Sequence, residues 1–158
     1  DLLLDVPETT ERIGMFEVEL PSPIKYKKIV AIAKGCGHAD NDWMGFVHQL
    51  SLKNDKNEWI NICCSEAQVA QNTTAYYVRH DVDLAENFFV HNSYRSTHGW
   101  ESSNTGKSAA LAVMEIKSNA LSCIRYLMGA GTGVTNQEPY VKQTYEAGFT
   151  LKVWGVRA

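Results

Sequence analysis

The sequence has no apolar run long enough to cross a bilayer as a helix. Its longest stretches, such as Ala109–Met114, stop at four to six residues, against the ~20 that a spanning helix needs. It also lacks an excess of positive charge. Fifteen Lys and Arg against 18 Asp and Glu leave a net charge of −3, so the chain has no bulk attraction for phosphate backbones, which argues against nucleic acid as a partner. The four cysteines, Cys36, Cys63, Cys64 and Cys123, include no CxxC spacing, so the usual zinc-ribbon and thioredoxin arrangements are absent. Cys63 and Cys64 are adjacent, and neighbours in a strand point to opposite faces, so they would not pair with each other. All four read as reduced, mostly buried small residues, which suits folding in a reducing cytosol. That reading sets aside Asn72-Thr73-Thr74, a match to a glycosylation acceptor. No GxSxG turn supports a nucleophilic serine, and no cysteine carries a protease-like flank, so an enzyme is not expected. No repeat of fixed period points to a solenoid or propeller. The chain starts at Asp1 without a charged-then-apolar leader, and reads as a processed or excised piece of something longer.

What is present is alternation. At 158 residues, 44% hydrophobic and 21% charged, the chain has the size and composition of one globular domain, residues 1–158. In Trp43–Leu52, Met44, Phe46, His48, Leu50 and Leu52 share one face, and Trp43, Val47, Gln49 and Ser51 the other. Gly14–Leu20 sets Phe16, Val18 and Leu20 against Glu17 and Glu19, and Glu58–Cys64 turns Ile60, Ile62 and Cys64 inward. Lys27–Lys34 holds Ile29, Val30, Ala31 and Ile32, a run that suits a strand covered on both faces. Thr74–Arg79 and Asn87–Tyr94 are rich in residues that fit pleated surfaces. At the end of the chain Phe149, Leu151 and Val153 alternate with Thr150, Lys152 and Trp154. Punctuation falls at Pro21-Ser22-Pro23, Gly35–Gly37, Asn54–Asn57 and His98–Lys107, and Gly129–Gln143 is the longest connection. Ser108–Met128 lacks Pro and Gly and is open to a helical reading, but its parity favours two strands returning through Ser118-Asn119 as a hairpin. The count is eight to ten strands, and the fold expected is an all-β antiparallel sandwich of jelly-roll or lectin-like type, with its two ends on neighbouring strands.

Few motifs carry chemistry. Asn104-Thr105-Gly106-Lys107-Ser108 ends like a phosphate-binding loop, but Glu101 stands where the first glycine must be, a negative charge in the place of phosphate. His38-Ala39-Asp40-Asn41-Asp42 and His80-Asp81-Val82-Asp83 resemble metal loops, with oxygen ligands suited to calcium. Neither has the full EF-hand spacing, and such clusters in turns more often hydrogen-bond their own backbone. No cofactor is expected, calcium being the one the acids could take.

Two loops combine aromatic and polar residues. His98–Lys107 has no apolar side chain except Trp100, and His38–Trp43 ends in Trp43. A sugar offers an apolar face and a rim of hydroxyls, and is held by a flat ring beside oriented polar groups. The candidate ligand residues are therefore Trp100 for stacking, Glu101 and Asn104 for hydroxyls, and His98 at the rim. Asp40, Asn41, Asp42 and Trp43 form a second wall. Trp59 and Trp154 stand on strand faces opposite the apolar rows, and a ring on a polar face predicts an oligomer contact unless a loop covers it.

The segment Gly148-Phe149-Thr150-Leu151-Lys152-Val153-Trp154-Gly155-Val156-Arg157 resembles the closing strand of bacteriophage tail-fibre and tailspike receptor-binding tips. Phe16-Glu17-Val18-Glu19-Leu20-Pro21-Ser22-Pro23 followed by Lys27-Lys28-Ile29-Val30-Ala31 resembles the opening strands of the related H-type-lectin-like tips. The resemblance implies a homotrimeric adhesin tip at the C-terminal part of a longer fibrous chain. Such a tip folds in the cytosol before assembly, is carried on a virion tail fibre or extracellular surface, and docks on a cell-surface glycan or protein. The competing expectations are a structural jelly roll that binds no ligand (a capsid, baseplate or trimerisation unit) and a polysaccharide-cleaving enzyme.

Overall fold

A computed structural model describes residues 1–39, 45–69, 74–97, 105–113, 118–130, 143–145 and 147–158. Among them there is no helix, and ten strands account for the architecture: β1 (Leu2–Val6), β2 (Met15–Ala39), β3 (Gly45–Asn54), β4 (Trp59–Val69), β5 (Thr74–Asp83), β6 (Phe88–Thr97), β7 (Thr105–Val113), β8 (Ala120–Ala130), β9 (Gln143–Tyr145) and β10 (Thr150–Arg157). Every pairing is antiparallel.

The strands form two sheets that share β2. One runs β1-β10-β2-β5-β6-β7 and uses the second half of β2, from Tyr26 onward. The other runs β4-β3-β8-β2 and uses the first half, Met15–Lys25. The sheets face one another. His48 of β3 meets Tyr76 of β5 with ring centroids 4.8 Å apart, and Tyr126 of β8 meets His80 of β5 at 5.7 Å. Phe149, at the mouth of β10, stacks on Phe16 of β2 at 5.3 Å. An all-β antiparallel sandwich is what the alternation predicted.

The passage of β2 between sheets corrects one reading of the sequence. Pro21-Ser22-Pro23 is not a turn between two strands. Glu19 pairs Cys123 and Ile24 pairs Leu121, so four residues of β2 bulge outward against one of β8. Proline donates no ladder hydrogen bond and is tolerated at edges and bulges, and here it lies on the edge strand of its sheet. The hairpin expected across Ser118-Asn119 is also corrected. Both strands exist, but β7 is the outer neighbour of β6 in one sheet while β8 lies between β3 and β2 in the other. Alternation defines a strand's faces and carries no information about its partner.

Burial follows parity closely at the end of the chain. Phe149, Leu151 and Val153 are fully buried, each stabilising the fold by roughly 1.5–3 kcal/mol. Lys27–Lys34 is one-faced rather than covered on both sides, since Ile29 and Ala31 are buried while Val30 and Ile32 are partly exposed. In β3 both rows are covered. His48, Leu50 and Leu52 face the core as predicted, yet Gln49 and Ser51 are buried too, with Gln49 Nε2 donating to Ser51 Oγ at 2.7 Å and to Asn61 Oδ1 at 3.3 Å. Trp59 is half-buried beneath the Arg125 guanidinium, 4.5 Å from its ring centre, and Lys53 at 5.7 Å. Cations of its own sheet therefore cap that ring. The chain's ends lie on neighbouring strands, with Leu4 opposite Val153 and Val6 opposite Leu151.

Candidate functional site

The connections divide unequally between the two ends of the sandwich. Pairing of Gly37 with Thr74, Thr74 with Thr97, Ser96 with Thr105, and Ala39 with Gln143 sets these strand termini at one end. Gly45 with Val69, and Phe46 with Ala130, do the same in the second sheet. Residues 40–44, 70–73, 98–104 and 131–142 all depart from this end. So do residues 7–14 between β1 and β2, since Val6 stands level with Leu151 and Ala33.

The opposite end carries two short capped turns, with the β7–β8 connection, residues 114–119, beside them. Asn54 Oδ1 accepts from the N–H of Lys56 and of Glu58 at 3.0 and 2.9 Å, and Asn57 takes φ 63°. Asp83 Oδ1 accepts from the N–H of Ala85 and Glu86 at 3.1 and 2.9 Å, and Asn87 takes φ 58°. Asn and Asp occupy these positions because their side chains bond the local backbone and tolerate a left-handed conformation.

The candidate ligand residues Asp40, Asn41, Asp42, Trp43, His98, Trp100, Glu101 and Asn104 lie outside the described residues. The strand termini that flank them are described, and they bring both segments to the loop-bearing end. Residues 7–14 were not singled out by the sequence, which offers no periodicity there. Val6, Pro7, Glu8, Thr9, Glu11 and Arg12 line an open groove of about 300 Å³. Thr9 anchors it: its N–H donates to the Phe149 carbonyl at 2.9 Å, its carbonyl accepts from Gly148 N–H at 2.7 Å, and its Oγ1 accepts from Phe149 N–H at 3.1 Å.

His80-Asp81-Val82-Asp83 is not a metal loop. It is a stretch of β5 whose side chains alternate: His80 is buried in the core, Asp81 accepts from Arg79 Nε and Nη2 at 2.7 and 2.9 Å, and Asp83 caps its turn. The Glu86 N–H, followed by the Lys28 ammonium at 3.3 Å, holds the Asp83 carboxyl below its ordinary range.

A second polar constellation sits inside the sandwich. His48, His80 and His91 are all fully buried. His80 and His91 are register partners with Nδ1 atoms 3.1 Å apart and ring centroids at 4.6 Å. One of the pair donates and the other accepts, and the Nε2 of each has no hydrogen-bond partner among the described residues. Burial pushes all three imidazoles well below their ordinary value, to about 3 for His48 and about 4 for His91, so all are neutral at pH 7. Each occupies the apolar row of its strand, and that parity is the signal by which the sequence could have revealed the cluster.

Neither of two ligand sets suits a metal. The histidine pair offers two nitrogens, and no third His, Cys, Asp or Glu among the described residues stands close enough to complete a set. Glu17, Glu19 and Cys123 do come together on the outer face of the second sheet, within 4.8 Å. Burial, with Glu17 and Glu19 adding to it, pushes the Cys123 thiol up to about 12, which leaves it protonated and a poor ligand near neutrality. Glu17 is already engaged by Arg125. No protein-family model matches the chain, and no curated protein matches it.

Proposed function

We propose that this domain is a receptor-binding module, the tip of a phage-like tail fibre, that recognises a cell-surface glycan or protein through the loop-bearing end of its sandwich. One observation carries the reading: the twelve-residue connection 131–142, with residues 7–14, 40–44, 70–73 and 98–104, departs from one end, while the other end carries two short capped turns and the connection 114–119. Binding residues concentrate on loops held by a rigid scaffold, and sandwiches use one end in this way. Those loops supply Trp43 and Trp100 as stacking platforms and Asp40, Asn41, Asp42, His98, Glu101 and Asn104 as hydroxyl partners. The groove of Glu8, Thr9, Glu11 and Arg12 adds polar groups at the same end.

The module binds without catalysis and without a resident cofactor, as a homotrimer on a virion fibre or extracellular surface. Its subunit contact is the outer face of the first sheet around β10. There Leu2 stands opposite Trp154, and Leu2 and Val156 are 52% and 44% exposed, an apolar surface that association would cover. A glycan array probed with the folded domain, with whole-cell binding as the protein-receptor arm, tests the reading. Reproducible binding in either supports it. Silence in both, with the chain still associating in light scattering, would favour the structural jelly roll.

A further inference from the structure

We propose that His48, His80 and His91 form an acid-operated latch between the two sheets: as neutral imidazoles they close the seam, and their protonation in acidic surroundings parts it. His48 belongs to β3 of one sheet, and His80 and His91 to β5 and β6 of the other. His48 packs edge-on to Tyr76 across the seam, and His80 packs edge-on to Tyr126. All three histidines have zero exposure, so a proton added to any of them is a charge placed between the sheets without water.

Among the described residues, no carboxylate faces His80 or His91 to serve that charge as a counter-ion. The titratable groups facing the cluster, among the described residues, are the phenols Tyr76 of β5 and Tyr126 of β8. The core row of β2 presents Ala31 and Ala33, β10 presents Leu151 and Val153, and β4 presents Ile62. Cys64 and Met128 are the register partners of His48, and Ala110 is that of His91. Among the described residues no carboxylate lies in this set. The pair is also self-limiting: one shared proton satisfies two Nδ1 atoms 3.1 Å apart, and a proton on each would set two N–H groups head to head.

The sign of the effect follows. The folded state holds these histidines neutral well below the ordinary 6.5, whereas in the unfolded chain they take up protons there. Their contribution to stability is therefore complete above about pH 6.5 and is lost as the pH falls toward 4, by about tenfold in the folding constant per pH unit for each histidine. Three together give up to about a thousandfold per unit. This window lies above that of the carboxylates, which stay ionised through most of it.

Urea denaturation of the 158-residue chain across about pH 7.5 to 4.5 reads the slope directly. A fall of more than a hundredfold per unit between about pH 6 and 5 is expected, reduced toward tenfold in His80→Phe/His91→Phe. A shallow slope in the unaltered chain, or a steep slope unchanged in the variant, overturns the latch. Should the variant fail to fold, imidazole titration by NMR on the unaltered protein decides alone. Three of the five histidines should stay neutral down to about pH 5 while the fold persists, and ordinary titration of any of the three in the folded state refutes the proposal.

Discussion

Gly155 lies against the ring of Tyr26: a Cβ at position 155 would stand 2.5 Å from Tyr26 Cε1 and 2.9 Å from Leu3 Cδ1. Tyr26 is fully buried where β2 emerges from its bulge, and Gly155 of β10 is opposite Ile29 of β2. The ring can approach β10 this closely because residue 155 has no side chain. Gly155→Ala should force ring and strand apart and destabilise the fold by about 1–3 kcal/mol, the usual range for overpacking. Urea denaturation checks this, and an unchanged midpoint would mean that the ring moves aside freely.

Asn54 is expected to hold the β3–β4 turn closed. It is buried, accepts two backbone N–H groups and donates to Glu58 Oε2 at 3.0 Å. Asn54→Ala should lower stability by about 1–2 kcal/mol, a fall of about 3–6 °C in Tm for a chain of this size. Asn54→Asp keeps the acceptor but sets a second carboxylate beside Glu58, so it should fall between the two and improve with added salt.

The Asp83 carboxylate is expected to affect stability only at the acid extreme. Its folded value is depressed by the Glu86 N–H and by Lys28, so its contribution is present above the ordinary carboxylate value and lost as the pH falls through the folded one. Asp83→Asn should flatten the stability profile below about pH 4 and leave the slope between about pH 6 and 4.5 untouched. A changed slope in that upper window would show that Asp83, and not the histidines alone, titrates there.

At the loop-bearing end, Trp100→Ala should abolish binding to whatever receptor the array or cell assay identifies, with Tm unchanged within about 2 °C. Lys56→Ala, in the capped turn at the far end, should leave binding intact. If Trp100→Ala unfolds the domain, the ring is structural and the assignment of this loop fails. EDTA separates a calcium-dependent variant of the site, which loses binding until calcium is restored, from a site made by side chains alone.

How much of this was legible depended on whether a feature is local. Phe149, Leu151 and Val153 announce their strand because a period of two is written in consecutive residues. The continuity of β2 through Pro21-Ser22-Pro23 is not written locally, since two prolines look the same in a turn and in an edge bulge. The separation of β7 from β8 is a matter of partners, which parity cannot supply. The histidines were half legible. His48 stands between Phe46 and Leu50, and His80 between Val78 and Val82, so each could be placed inward. Only the pairing of β5 with β6 brings His80 to His91. The loop residues from Asp40 to Trp43 and from His98 to Asn104 were chosen by composition alone, and the fold contributes the end of the sandwich from which both segments leave.

The single strand that serves both sheets also sets a timetable. Phe16 waits for Tyr126 and Val30 for Trp154, so each half of β2 finds a ladder partner made more than a hundred residues later in synthesis. Until β8 and then β10 leave the ribosome, β2 has neither of those neighbours, and its unpaired edges are open to other chains. Pairings of such long separation place the domain among slow folders, on the scale of milliseconds to seconds. Along the first half of β2, Glu17 and Glu19 alternate with the apolar row, and such charges on an open edge discourage edge-to-edge association during that interval.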